Sequence, residues 1–351
     1  MTDQAISLLK ALIAIPSASR DEAAAAAALA AFIEEQGFTP QRTGCNVWMT
    51  DLNPSPLRPT LLLSAHLDTV PPAQGWTTDP YTPIETDGRL YGLGASDCGG
   101  GLVCLLCTFI HFQKHPELPR AYNLVFCASA EEEVSGAGGI TSVLPLLPHI
   151  DCAIVGEPTS LQPAAAERGL IVIDCINQGR AAHAARPGEG LNALYEAMDD
   201  IQWLRSYKFE RVSPLLGETI MTATIIQAGT KHNILPEECR WTIDCRPNEL
   251  YTLQEVLQTI QDNVKARCTP RSLRLQPSSM PKDHPLLCHC RKLGLTPFGS
   301  PTLSDQALMP WPSLKLGPGH SCLSHTPNEY LPLEHIPKAL QIYNQLITLS
   351  N

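Results

Sequence analysis

Metal-binding residue types stand at the ends of three apolar segments of the sequence. TLLLSAH ends at His66 and leads to Asp68, YNLVFCASA leads to the glutamates 131–133, and CAIVG leads to Glu157. Because ligand sites in open α/β sheets lie beyond the carboxyl ends of the strands, these side chains are expected to converge. Asp97 lies in GLGASDCGGG, where glycines leave its carboxylate room to approach a metal at a helix start. Imidazoles with several carboxylates suit zinc and its neighbours, and the excess of carboxylates favours two ions.

The acidic run at 131–133 has two interpretations. On a solvated face, three glutamates need no partner. At the end of a buried strand, three crowded carboxylates repel one another strongly, and a nearby cation resolves the conflict. Since consecutive residues at a strand exit point in different directions, one glutamate can bind a metal while the next faces the reacting water.

The segments that carry these residues alternate between strand and helix patterns. TLLLSAHLDTV, YNLVFCASAEEE and CAIVGEPT are short apolar runs without polar alternation, which is typical of strands buried on both faces. The alanine-rich segment Asp21–Glu35 predicts a helix closed by Gly37, and DCGGGLVCLLCTFIHFQKH predicts another. A last helix is predicted over 333–349. This order predicts an α/β fold with a mostly parallel central sheet.

The pattern changes after Glu167. LIVIDCINQG, TIMTATIIQAG and CRWTIDCRP are rich in β-forming residues, and helices are predicted at 191–207 and 252–267. This order predicts an inserted α+β domain of the ferredoxin-like kind. The predicted boundaries are 1–166 with 275–351 for the catalytic domain, and 167–274 for the inserted lid and dimerisation domain.

The composition excludes several function classes. The 351 residues carry a formal net charge of -10, with 44% hydrophobic and 17% charged residues, as in ordinary globular proteins. Nucleic-acid binding needs a local excess of Lys and Arg, which this chain lacks. The N-terminus has the pattern of an amphipathic helix, not of a signal peptide, and GLVCLLCTFIHF is too short to span a bilayer. We therefore predict a cytoplasmic protein that binds neither nucleic acid nor membrane.

The 13 cysteines fit a reducing compartment. Those within apolar runs, such as Cys127, are expected to be buried thiols. Cys104 and Cys107 form a CxxC, and Cys288-His289-Cys290 forms a compact tract, but neither has a partner pair at zinc-finger spacing. Buried thiols are therefore preferred to a separate metal site.

Taken in order, the motifs resemble those of the M20 metallopeptidase and deacylase family. They are HLDTVPP, DGRLYGLGASDCGGG, ASAEEEVSG, VGEPT, RGL, GRAAHAARPGEGLNA, NILP, DCRP and SHTPNEY, spread over nearly the whole chain. The branch of acetylornithine deacetylase and succinyl-diaminopimelate desuccinylase is the most similar. The resemblance implies a zinc-peptidase-like catalytic domain with two zinc ions per subunit, for which cobalt can substitute. It also implies a homodimer formed through the inserted domain.

The resemblance also implies a role for each matching residue. Two sets of zinc ligands would share one bridging carboxylate: His66, Asp97 and Glu157 in one set, and Asp97, Glu132 and His325 in the other. Asp68 would orient the His66 imidazole, and Glu131 would be the general acid and base. His183, in the inserted domain, would reach the active site of the other subunit and stabilise the developing oxyanion.

Two residues of the inserted domain are candidates for substrate binding. Arg246 in DCRP suits a substrate carboxylate, because guanidinium binds carboxylate through two parallel hydrogen bonds. A structural salt bridge explains Arg246 nearly as well. Asn233 in HNILP can hydrogen-bond a substrate or shape a turn. His320 in GPGH is expected to serve its loop rather than bind a metal.

The chain departs from the family pattern beside the site. Ala130 stands where an aspartate often precedes the glutamate pair, and Gly99 stands where a lysine often follows the bridging aspartate. The third glutamate, Glu133, leaves open a register shifted by one residue, in which Glu132 is the base.

These inferences predict a zinc-dependent amidohydrolase. The expected reaction cleaves N2-acetyl- or N2-succinyl-ornithine into ornithine and a carboxylate, a step of arginine biosynthesis. Succinyl-diaminopimelate desuccinylase and M20 dipeptidase activities would use the same site and stay open, as does a non-catalytic metal-binding protein. A nucleotide-binding oxidoreductase, suggested by GLGASDCGGG and SGAGG, would need G-x-G-x-x-G directly after a strand, which neither segment provides.

Overall fold

The structure of the protein is a computed structural model that describes residues 1–348. Its helices, in chain order, are α1 (Thr2–Ile13), α2 (Ala23–Glu35), α3 (Gly100–Lys114), α4 (Ile140–Val143), α5 (Ala193–Ser206), α6 (Leu253–Asn263), α7 (Pro285–Lys292) and α8 (His335–Thr348). Its strands are β1 (Gln41–Thr43), β2 (Asn46–Thr50), β3 (Thr60–His66), β4 (Ile84–Thr86), β5 (Arg89–Tyr91), β6 (Asn123–Ser129), β7 (Cys152–Val155), β8 (Ala164–Glu167), β9 (Ile171–Gln178), β10 (Ile220–Ala228), β11 (Glu238–Arg246), β12 (Arg267–Pro270), β13 (Ser278–Ser279), β14 (Phe298–Ser300), β15 (Ser313–Lys315) and β16 (Tyr330–Pro332). The predicted end of the last helix, at 349, lies outside the described residues.

The chain divides into two units. One contains 1–165, 280–298 and the chain from Ser304 onward, and the other contains 166–279 and 299–303. The sequence predicts these divisions at 166/167 and 274/275.

The first unit is built on a mixed, mostly parallel sheet, as predicted. The strand order in this unit is β1-β2-β6-β3-β7-β15-β8. β3 runs parallel to both β6 and β7, and β15 runs parallel to β7. Every residue of β6 is buried, which is why this strand reads as a continuous apolar run. A separate antiparallel sheet contains β16, β5 and β4.

Helix α3 is the central helix of this unit and packs against α1, α8 and β3. Segment Ala95–Lys114 has 20 residues and is apolar enough to cross a membrane by length and composition. However, 83% of its most apolar window is buried inside the fold, which is typical of a core helix. Close packing explains its glycines, since a Cβ on Gly101 would overlap the backbone of Gly156, at the end of β7.

The second unit is an α+β structure. Its antiparallel sheet has the order β10-β11-β9-β12, and α5 packs on β9, β10 and β11. β9 alternates between buried and partly exposed residues, so one face of this sheet forms the core with α5 and α6. Helix α6 begins with a capping box between Thr252 and Glu255.

Candidate metal centre

The strand ends bring the acidic and histidine residues to one edge of the central sheet. His66 is the last residue of β3, the run 131–133 follows β6, and Glu157 follows β7. Because these three strands are parallel neighbours, their carboxyl ends meet at this edge.

His66 is buried and held in one orientation. Its Nδ1–H donates to the carbonyl oxygen of Asp68 (2.9 Å), so the proton of a neutral imidazole lies on Nδ1. Nε2 then faces the acidic groups, 3.1 Å from Oδ1 of Asp97 and 3.6 Å from Oε1 of Glu157. Burial alone would lower the pKa of His66, but the surrounding acidic groups raise it well above its usual value. The orientation is the one that a metal-binding histidine needs.

The two carboxylate oxygens of Asp97 face different histidines, His66 and His325. Oδ1 lies 3.1 Å from His66 Nε2, and Oδ2 lies 3.7 Å from His325 Nε2. Atoms that share a tetrahedral zinc at about 2.0 Å lie roughly 3.3 Å apart, so both spacings suit a shared ion. Burial would raise the pKa of Asp97, but its hydrogen bonds to His66 and Ser324 lower it. The side chain is therefore placed to bridge two cations.

The acidic run differs from the expected placement. Glu131 has a left-handed backbone (φ 52°), and its carboxylate lies over Gly136 and accepts a hydrogen bond from the Gly138 amide (3.3 Å). Glu133, in contrast, contacts His325, with Oε2 2.9 Å from Nε2. The expectation of Glu131 at the reacting water and Glu132 on the metal does not match this geometry. Glu132 instead takes the place expected for the base, and Glu133 the place expected for the metal ligand, as in the alternative register.

Glu132 lies between Glu131 and Glu133 in the sequence and begins a single 3-10 turn, Glu132–Val134. Burial raises the pKa of its carboxyl group well above the usual value; the charges of Glu157 and Asp305 add to this effect, and His66 opposes it. A carboxyl group whose pKa is raised in this way is suited to take up a proton during a reaction.

Asp68 forms hydrogen bonds both to the acidic run and to His66. Its carboxylate accepts hydrogen bonds from the amides of Glu132 (3.1 Å) and Glu133 (3.2 Å), and from the Ser19 hydroxyl (2.7 Å). Oδ1 lies 3.6 Å from His66 Nδ1, too far for a hydrogen bond. The backbone carbonyl of Asp68, rather than its carboxylate, therefore orients the imidazole.

The charge balance of the cluster fits a bound cation. Oε1 of Glu157 is buried and finds no hydrogen-bond partner within residues 1–348. Burial, with repulsion from Asp97, raises the pKa of Glu157 to about 8. Burial also raises the pKa of Glu133, although both histidines oppose this. Two imidazoles and three carboxylates form a donor set that suits zinc.

One buried residue that sequence reasoning missed fixes the segment that carries Asp97. The carboxylate of Glu329 accepts hydrogen bonds from the amides of Gly94 (3.0 Å), Ser96 (2.7 Å) and Asp97 (2.9 Å). Burial raises the pKa of Glu329 to about 7. Its place in SHTPNEY was the available signal, because that motif also contains His325.

The three predicted residues of the inserted domain lie in the second unit. His183 and Asn233 are exposed and adjacent, since the amide of Ala184 donates to the Asn233 carbonyl (3.0 Å). The guanidinium of Arg246 makes two hydrogen bonds to Asp244, of 2.7 and 3.0 Å. Arg246 therefore forms the structural salt bridge that was the alternative to substrate binding.

Cysteines contribute mainly to the core. Cys104, Cys107 and Cys127 are buried, as expected. The Sγ atom of Cys98 lies 3.2 Å from the His66 amide, and burial raises the pKa of this thiol. Among the described residues, potential ligand groups cluster as His66, Cys98 and Glu157, and as His66, Asp97 and Glu133.

This fold, with imidazoles and carboxylates paired across one aspartate, is typical of dinuclear metal-dependent hydrolases. Residues 62–349 match the peptidase family M20/M25/M40, and the chain belongs to this family. It is 32% identical over 309 residues to the acetylornithine deacetylase of Shigella sonnei (strain Ss046), covering 82% of this chain and 79% of that protein.

Solved structures share the fold at lower identity. The aminopeptidase PepT of Bacillus cereus ATCC 10987 superposes with a TM-score of 0.79 at 18% identity, covering 99% of this chain and 98% of that one. A dinuclear metal-binding peptidase of the M20 family from Bacillus subtilis gives a TM-score of 0.73 at 16% identity, with the same coverage.

Proposed function

We propose that this protein hydrolyses the amide bond of an N-acyl amino acid, namely N2-acetyl- or N2-succinyl-ornithine, with two zinc ions as cofactor. The observation that carries the proposal is Asp97, whose two oxygens each face a different histidine. The identity of 32% to an acetylornithine deacetylase supports the choice of substrate class.

Two ligand sets follow from the contacts. His66, Asp97 and Glu157 would hold one ion, and Asp97, Glu133 and His325 the other. When bound, the metal supplies an acidified water and polarises the amide carbonyl. Cobalt is expected to substitute for zinc, because its preferences for nitrogen and oxygen ligands are similar.

Glu132 is the proposed general base and acid. It takes the proton of the attacking water and returns it to the leaving amine. Burial raises the pKa of Glu132, which favours its uptake of a proton from the water. Asp68 keeps this carboxyl group in place through the backbone amide of Glu132 (3.1 Å).

The homodimer also belongs to this proposal. In the part of the chain that the structure describes, β10 pairs with β11 alone and exposes the apolar residues Ile220, Ile225 and Ile226. Exposed apolar edge strands are normally covered, so a second copy of this chain is the expected partner. In such a dimer, His183 would stabilise the oxyanion of the other subunit, and Asn233 beside it would contact substrate.

Two neighbouring activities use the same chemistry. A diaminopimelate desuccinylase, like a succinylornithine deacylase, needs a cationic partner for the succinyl carboxylate, and Arg246 is already paired with Asp244. A dipeptidase activity is supported by the fold shared with peptidases. Cytoplasmic arginine biosynthesis is the expected setting for the ornithine reaction.

Amine release from N-acetylornithine, N-succinylornithine and a plain dipeptide, with zinc or with a chelator, tests the proposal. We expect zinc-dependent release from one of the two acylornithines and little from the dipeptide. Preferential release from the dipeptide would replace the substrate assignment with a peptidase. No release from any of the three, with two zinc ions bound, would contradict the proposed function.

A further inference from the structure

The loop that carries the acidic run adopts a conformation that needs external support. Between β6 and α4 it contains one 3-10 turn, Glu132–Val134. Glu131 (φ 52°) and Ser135 (φ 45°) are left-handed, although neither is a glycine. Such residues cost about 1–3 kcal/mol each and persist only where the surrounding structure holds them.

Asn46, the first residue of β2, joins the two ends of this loop. It is fully buried, and its Oδ1 accepts a hydrogen bond from the Ala130 amide (2.9 Å). Its Nδ2 donates to the carbonyl oxygens of Gly138 (2.7 Å) and Thr43 (2.7 Å). The bond to Thr43 fixes the amide to its own hairpin, so Asn46 links the loop to the rigid sheet.

Two carboxylates hold the same loop from its other side. Glu22 accepts a hydrogen bond from the amide of Glu131 (3.0 Å). Asp68 accepts from the next two amides, those of Glu132 (3.1 Å) and Glu133 (3.2 Å). Both acceptors are carboxylates, so replacing either one removes an acidic group, and Asp68 also lies 3.6 Å from His66 Nδ1. Asn46 is the uncharged support and can be changed without altering the charge of the cluster.

We propose that Asn46 is a positioning residue that sets Glu132 and Glu133 toward the metal centre. It acts through the backbone of the loop and touches neither glutamate side chain. Its removal is expected to weaken the ion held by Glu133 and His325, and to spare the ion held by His66 and Glu157. This inference rests on the ligand role proposed for Glu133.

Asn123 provides a matched control. It is also a buried amide in the first unit, and it also ties a loop by bonds to backbone groups of Ser55 (2.8 and 2.9 Å) and Arg58 (2.9 Å). It has no bond to the acidic loop. Asn46→Ala and Asn123→Ala should therefore both lower the thermal midpoint, while only Asn46→Ala should change metal binding.

Competition with a chromophoric zinc chelator gives the two zinc dissociation constants of the full-length protein. His325→Ala identifies which constant belongs to the ion at Glu133. We expect Asn46→Ala to weaken that constant by about tenfold or more, and Asn123→Ala to leave both constants nearly unchanged. If Asn46→Ala does not fold, Asn46→Ser keeps the side chain uncharged but makes it too short to bridge Ala130 and Gly138, with the same expected direction.

Two outcomes would overturn the positioning role. One is an unchanged zinc constant in the folded Asn46 variant, and the other is equal weakening in Asn46→Ala and Asn123→Ala. A wild-type protein that binds fewer than two zinc ions would instead refute the proposed function itself. The two failures are therefore distinguishable.

Discussion

Single residues explain why this site needs a cation. Oε1 of Glu157 is buried and has no hydrogen-bond partner within residues 1–348, and burial with repulsion from Asp97 raises the pKa of this carboxyl group to about 8. The pKa values of Glu132 and Glu133 are raised as well, mainly by burial. Protons or metal ions must compensate these charges, and the two compete for the same oxygens.

The metal-free protein should therefore lose stability as pH rises. The fold favours the protonated form of Glu157, so the stability present below its usual pKa of 4.5 is lost as pH rises through about 8. The raised pKa of His66 acts in the same direction. We expect the thermal midpoint of the metal-free protein to fall from about pH 5 to about pH 8, and zinc to raise it more at the higher pH.

Differential scanning calorimetry at several pH values, with zinc and with a chelator, measures this dependence. Glu157→Gln is the control, because it removes one titrating group and should flatten the curve of the metal-free protein. A midpoint of the metal-free protein that rises over the same range would contradict the charge balance described here.

At the same scale, sequence reasoning identified the residue types but not the register of the acidic run. The motif allowed either Glu131 or Glu132 as the base. The choice depends on the left-handed turn at Glu131, which sends its carboxylate toward Gly136 and Gly138. The segment SGAGG contained the signal, since those glycines leave space for this carboxylate.

At the scale of elements, the apolar runs predicted the strands that carry the site. Their parallel pairing brings His66, Glu157 and the acidic run together. The short strands were not predicted, because segments such as β4, β5 and β16 have three residues each and no periodicity to detect. Asn46 was missed for a related reason, since its role depends on a loop 84 residues away in the chain.

The exposed strand β10 gives a prediction at this scale. Ile226 is 49% exposed on an edge strand, and a lysine there would place a charge in the proposed dimer interface. We expect the wild type to have the mass of two chains of 38.2 kDa and Ile226→Lys to have the mass of one. Light scattering coupled to size-exclusion chromatography measures both.

Leu57→Lys is the control for this experiment. Leu57 is 92% exposed in the first unit, away from β10 in the chain, so its replacement should leave the mass unchanged. A wild-type monomer, or a dimer that withstands Ile226→Lys, would contradict the role of this edge.

For the whole molecule, the family and the α/β fold with an inserted α+β unit follow from motif order and segment pattern. The substrate does not, because an acetylornithine deacetylase is similar to the chain in sequence and an aminopeptidase shares its fold. Arg246 illustrates this, since its pairing with Asp244 depends on side-chain geometry that a motif does not contain.

The most direct test of the account compares Glu131→Gln with Glu132→Gln. The measurement is zinc-dependent amine release from the best acylornithine substrate, with the zinc content of each variant determined in parallel. We expect Glu132→Gln to lower kcat by about 10²–10⁴-fold while it keeps two zinc ions, and Glu131→Gln to stay near the wild-type rate. Loss of activity in Glu131→Gln alone, with zinc retained in both variants, would contradict the placement of Glu132 as the base.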